Sequence, residues 1–213
     1  MAETQAKILD TAERLFGEQG YAATSLRHII AEAGVNLAAI HYHFGSKEEL
    51  LDQLIMRRAG PVNEERLALL DRFEAEAGGA PVPVEKLLRA FLEPPILRLA
   101  KRPDLAKFMG RMYGEGLMPV IAEKHFHHIV TRFLAALGRA LPRLTPLELE
   151  LRVQFMLGAM AHTLCFPLAQ STISGAAIPA DGDQLLRELI AFLSGGLRAP
   201  AMRQDLTEEK SGK

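Results

Sequence analysis

The chain has 213 residues, of which 48% are apolar and 6% aromatic, with no Trp and a formal net charge of −1 at pH 7. That length can hold one large domain or two small ones and bury a sizeable core. A single cysteine, Cys165, excludes an internal disulfide, and neither a leader-like start nor an apolar run of the ~18 residues a membrane helix needs is present, so a soluble cytoplasmic protein is expected.

The first helix is expected over residues 3–19, with Ile8, Leu9, Ala12, Leu15 and Phe16 on one face and Gly20 as its stop. Thr24 is the expected N-cap of the second helix, its hydroxyl also able to face a phosphate. Leu26, Ile29, Ile30 and Ala33 then fall on one helical face over residues 25–33. Gly34 permits a tight turn, and Asn36 can cap a third, short helix that ends at Phe44 before Gly45. Ile40 and Phe44 stand one turn apart and anchor that helix, leaving Leu37, Ala38, Ala39, His41, Tyr42 and His43 on its other faces. Small residues let the helix start approach another surface closely; a phenol and two imidazoles can then donate to phosphates or base edges. Two short helices joined by a glycine turn match a helix-turn-helix, whose second helix enters a major groove.

Ser46 and Glu49 form a capping box that starts a fourth helix, continued through Leu50, Leu51, Leu54 and Ile55. Gly60-Pro61 is expected to kink or interrupt it before residues 62–76. Residues 78–83 (GGAPVP) form an exposed break. A helix resumes at Val84 and meets Pro94-Pro95, which is expected to bend or end it. Further helices are expected over 103–113, 116–141, 145–169 and 181–197, and no stretch alternates with period two. The fold class is therefore all-α. An N-terminal three-helix, helix-turn-helix domain (1–46) precedes a larger helical domain (47–198) and a polar tail (199–213) expected to be disordered.

Charge argues against a naive nucleic-acid reading. Up to Arg57 the bases are Lys7, Arg14, Arg27, Lys47 and Arg57, against the acids Glu3, Asp10, Glu13, Glu18, Glu32, Glu48, Glu49 and Asp52. Binding must then depend on placement: Arg27, Lys47, the histidines and helix N-termini at the contact face, acids on the far side.

The run Ile8-Leu9-Asp10-Thr11-Ala12-Glu13-Arg14-Leu15-Phe16, then Gly20-Tyr21, Thr24-Ser25-Leu26, Ala33-Gly34-Val35 and Tyr42-His43-Phe44-Gly45-Ser46-Lys47-Glu48-Glu49-Leu50, resembles the TetR family of transcriptional regulators. The resemblance covers the first quarter of the chain in the family's order and spacing. It implies a helix-turn-helix that binds a double-stranded DNA operator, a homodimer, and an effector domain. Expected DNA contacts are Thr24, Ser25, Arg27, Asn36, Leu37, Ala38, Ala39, His41, Tyr42, His43 and Lys47. His41 stands where the family usually has a tyrosine.

Residues 147–168 are apolar nearly all round, and Leu185, Leu186, Leu189, Ile190, Leu193 and Leu197 give the last helix a broad stripe. Two such helices per subunit suit a four-helix dimer interface; the alternative is a monomer core. Soft apolar residues gather between them, and Phe91, Met109, Met112, Tyr113, Phe126, Phe155, Met156 and Met160 are the expected lining of a small-molecule pocket. For any one of them, plain core is the simpler role.

His125-Phe126-His127-His128, and His162 with Cys165, invite a metal, but the cluster lacks an HExxH pattern and is expected to be a solvated helix face. No metal site, cofactor or catalytic constellation is expected. Residues 35–39 with 42–47, and 152–159, are further similar to the fatty-acid-responsive PsrA-type branch of the TetR regulators, which implies a long-chain acyl effector. Together these features describe a repressor released by a small apolar effector. The rival readings are a metal-dependent enzyme using His125–His128 and a DNA-binding protein with no effector.

Overall fold

The computed structural model describes residues 2–36, 42–99, 102–165 and 181–200. Among these the chain is all helical, with no strand. The helices are α1 (Ala2–Gln19), α2 (Leu26–Ala33), α3 (Lys47–Ala77), α4 (Val84–Leu99), α5 (Pro103–Gly114), α6 (Met118–His125), α7 (His127–Ala140), α8 (Pro146–Cys165) and α9 (Gly182–Arg198).

Local signals set several of the helix ends. Ser46 accepts from the Glu49 amide at 3.0 Å while the Glu49 carboxylate accepts from the Ser46 amide, the reciprocal capping box. Gly34, with φ 59°, closes α2 in the left-handed conformation, and the Val35 amide turns back to the Ile30 carbonyl at 3.3 Å. Asp181 caps α9 by accepting from the Asp183 amide.

Proline interrupts less than expected. α3 runs unbroken for 31 residues through Pro61, about 46 Å of helix, and α4 continues through Pro94 and Pro95. A missing N–H costs one backbone bond per proline. In α3, buried residues on both sides of Pro61 hold the two halves: Leu50, Leu51, Leu54 and Ile55 before it, Leu70 and Phe73 after it. In α4 the two rings are themselves buried between Leu92 and Ile96. Conversely, the helix expected over 116–141 is divided at Phe126 into α6 and α7.

Two apolar cores lie along α3. The first joins Ile8, Leu15 and Phe16 of α1, Ile29 of α2, Phe44 and the start of α3 to Leu105, Phe108 and Met112 of α5 and Ile121 of α6. The second is built from Leu70 and Phe73 with α4, α7, α8 and α9. The N-terminal helices therefore do not close a core on their own; α5 completes it. Its approach to α1 is close enough that a Cβ at Gly17 would lie 3.3 Å from the Phe108 amide nitrogen. Arg58 of α3 adds a polar tie, its Nε donating to the buried Glu13 carboxylate of α1 at 2.6 Å.

Candidate nucleic-acid interface

α2 presents Ser25 and Arg27 to solvent while burying Ile29 and Ala33. Ser25 is the N-cap, accepting from the His28 amide at 3.1 Å. Thr24, expected to cap and to face a phosphate, does neither. It is 1% exposed, and its hydroxyl donates to the Gly20 carbonyl at 2.7 Å. Its hydroxyl is therefore spent on closing the α1–α2 turn. Thr24→Val should therefore cost roughly 1 kcal/mol of stability and leave the salt dependence of DNA binding unchanged; a shallower salt slope would restore the phosphate contact.

Asn36 is exposed beyond the Gly34 turn. Leu37, Ala38, Ala39, Ile40 and His41 lie outside the described residues. The described chain resumes at Tyr42 and His43, which are helical. Tyr42 is 72% exposed while Phe44, two residues on, is 3% exposed and set in the first core. The Tyr42 and His43 rings meet edge-on at 5.1 Å, and Gln53 of α3 donates to the His43 carbonyl at 3.2 Å, which fixes the end of the segment. Lys47, at the first turn of α3, holds its ammonium 4.1 Å over the Tyr21 ring. Partial burial there lowers its pKa. The Tyr21 hydroxyl donates to Glu48, and burial together with that carboxylate pushes the phenol up to about 12.

The acids that made this segment net negative are largely engaged. Asp10 lies 2.9 Å from the Arg57 guanidinium, Glu13 pairs with Arg58, and Arg14 bridges Glu18 and Glu32. Asp52 accepts from Lys124. Burial opposes ionisation of Asp52, yet the Lys124 and His125 hydrogen bonds hold its carboxyl below the usual carboxylate range.

His125 is consequently not on a solvated face. It is 6% exposed with Nε2 3.0 Å from Asp52 Oδ1, because the face of α6 that carries Ile121 and His125 packs on α3; His127 and His128 are exposed. Among the described residues, no three His, Cys, Asp or Glu side chains gather as a metal site. The Cys165 side chain lies outside the described residues.

A second contact escaped the sequence. The Glu115 carboxylate, just past α5, accepts from the Tyr21 and Ala22 amides at 3.1 and 3.0 Å, and Arg111 of α5 donates to the Glu18 carbonyl at 3.3 Å. Gly20, with φ 95°, makes room: a Cβ there would lie 2.0 Å from Glu115 Oε1. This clasp fastens the α1–α2 turn to the end of α5.

The expected pocket lining is dispersed. Met109, Met112 and Phe126 pack in the first core, Met112 being fully buried there, while Phe91, Met156 and Met160 belong to the second. Tyr113 and Phe155 are 44% and 70% exposed. The reason lies in α5: Phe108 and Met112 share the face that meets α1, which turns them away from the second core. That core holds an unanticipated residue, Arg66. It is 4% exposed, stacked 4.2 Å from the Phe91 ring centre, and burial pushes its pKa down to about 9.

On α8, Leu147, Leu151 and Phe155 recur one turn apart and are all exposed, and Phe192 of α9 is 74% exposed. Arg152 ties the two helices by donating to the Leu197, Ala199 and Pro200 carbonyls at 2.6–3.0 Å. No helix among the described residues is long and apolar enough to cross a membrane.

Two family models match: bacterial regulatory proteins, tetR family, over residues 8–54, and a tetracycline repressor-like C-terminal domain over 89–196, just over half of the chain. The transcriptional regulator AcrR of Shigella flexneri is 37% identical over 82 residues, 38% of this chain and 36% of that protein. TtgR of Pseudomonas putida is 45% identical over 53 residues, 25% of each. The chain thus spans about a third or less of the length of these curated relatives. In overall fold it is similar to the fatty acid degradation regulator FadR of Bacillus halodurans, with TM-score 0.62 and 19% identity over 92% of this chain and 96% of that one. The ketosteroid regulator KstR2 of Mycobacterium tuberculosis gives TM-score 0.60 and 17% identity over 90% and 93%. These matches are to transcriptional regulators and not to enzymes, which removes the metal-dependent enzyme reading. The chain belongs to the TetR family of transcriptional regulators.

Proposed function

We propose that the chain acts as a homodimeric repressor that holds a double-stranded DNA operator and lets go when a small apolar effector binds its C-terminal helices. The observation that carries the DNA reading is the end of the recognition segment, where an exposed Tyr42 is backed by a buried Phe44. A tyrosine fixed outward at a helix end, beside Ser25, Arg27 and Lys47, suits phosphate and base contact. The stripe of Leu147, Leu151 and Phe155 with Phe192 supports a two-fold four-helix interface. In such a dimer two recognition helices reach half-sites about 34–36 Å apart.

Release follows from the clasp. Because Glu115 and Arg111 grip the α1–α2 turn, a shift of α5 moves the DNA-binding helices with it. An effector that binds better to the shifted arrangement draws the dimer off its site. The PsrA-type resemblance supports an acyl compound as that effector.

Selection of bound fragments from genomic DNA should recover a roughly palindromic site. On that site Tyr42→Ala and Lys47→Ala should each weaken binding without changing helicity or dimer mass. Lys47→Ala should also lower the magnitude of the salt slope by about 1, one phosphate contact. Unchanged binding in both variants would remove this stretch from the interface.

A further inference from the structure

Among the described residues, the groups that bond the buried guanidinium of Arg66 are neutral. Its Nε donates to the Phe91 carbonyl at 2.8 Å, one terminal nitrogen to Asn63 Oδ1 at 3.1 Å, and the other to the Met160 sulfur at 3.5 Å. Among the described residues no carboxylate stands at ion-pair distance from it. Every other buried charge discussed above has a partner of opposite sign. An unpaired ion inside a helical bundle is expensive, and the stacking on Phe91 offsets only part of that cost.

The weakest of the three bonds is also the one nearest the outside. A thioether is a poor acceptor, and Met160 is flexible and only half-buried at the edge of α8. Of the five guanidinium N–H groups three are used, which leaves one N–H on each terminal nitrogen, the fork that a carboxylate accepts two-for-two. Swinging Met160 aside would present that fork to a ligand entering between α3, α4 and α8. Beyond it lie Phe91 and Phe133, edge-on at 4.9 Å, and the rest of the second apolar core.

We infer that Arg66 is the anchor for a carboxylate-bearing apolar effector, whose single negative charge neutralises the guanidinium while its hydrocarbon part enters the core behind Met160. A singly charged acid matches one buried cation; a dianion such as a phosphate monoester would bury an unbalanced charge. This inference rests on the proposed effector site in the C-terminal helices.

The test uses full-length protein, calorimetric titration with octanoate and with octanol, and operator binding followed in the same samples. Octanoate should bind once per chain and roughly 10- to 100-fold more tightly than octanol, the difference a charge-assisted pair makes. Arg66→Gln should abolish that preference, bringing octanoate down to the affinity of octanol. Met160→Leu, which removes the sulfur but keeps the volume, should retain the preference. If Arg66→Gln does not fold, Arg66→Lys, which keeps the charge but loses the two-pronged geometry, should lower the preference, and an unchanged preference would overturn the inference. No octanoate binding, equal affinity for acid and alcohol, or a preference that survives Arg66→Gln would each overturn the inference. Octanol that binds equally and releases the operator would sink Arg66 and spare the effector reading. Octanoate held by Arg66 with the operator still bound would uphold Arg66 and sink the release mechanism.

Discussion

Phe108→Ala should destabilise the protein by about 3–5 kcal/mol, the range for emptying a fully buried phenylalanine site. Phe108 has no exposed surface, and it sits where α5 crosses α1 closely enough that a Cβ at Gly17 would crowd its backbone. The cavity cannot collapse readily, because the backbones on either side are already in contact. For a chain of this size the loss corresponds to a fall in melting temperature of roughly 6–20 °C. Its location gives the experiment a second use. If α5 completes the core of the N-terminal helices, both halves should melt together at the lower temperature, and operator binding should fade over the same range. Val120→Ala, on α6 and 67% exposed, should change stability by less than about 0.5 kcal/mol. A Phe108→Ala protein that melts within a degree or two of the parent would show that the N-terminal helices are stable without α5, and the clasp would lose its leverage.

Phe155→Asp should convert the proposed dimer to monomer. Phe155 is 70% exposed in the single chain and continues the ridge of Leu147 and Leu151, so nothing among the described residues accounts for its position. Across a two-fold axis each substitution appears twice, and each places a carboxylate in an apolar contact with no cation opposite. A buried unpaired charge costs on the order of 3–5 kcal/mol, so the dimer constant should weaken more than about a thousandfold. Sedimentation at micromolar concentration should report the monomer mass with helicity unchanged, and operator affinity should drop to that of one half-site. Phe192→Asp on α9 should act in the same direction. An unaltered dimer mass in both variants would place the interface elsewhere.

Much of this molecule was determined by residues acting on their near neighbours. The α1 stripe from Ile8 to Phe16, the Ser46–Glu49 box and the Gly34 turn depend on contacts three or four residues apart, so they are legible in the chain itself. So was the contrast between an outward Tyr42 and an inward Phe44, and with it the candidate recognition segment. Local pattern says which side chains share a helix face, but not which neighbour that face will meet. Only the tertiary structure decided that Met112 serves the core of the N-terminal helices, that His125 turns in to Asp52, and that α3 and α4 run on through their prolines. It alone brought Glu115 to the amides of Tyr21 and Ala22, more than ninety residues away in sequence, and set Arg66 beneath Phe91 and Met160. The physical reason is the same in each case: these positions are chosen by packing between helices distant in sequence, whose apolar area outweighs the ~1 kcal/mol preferences that local sequence can express.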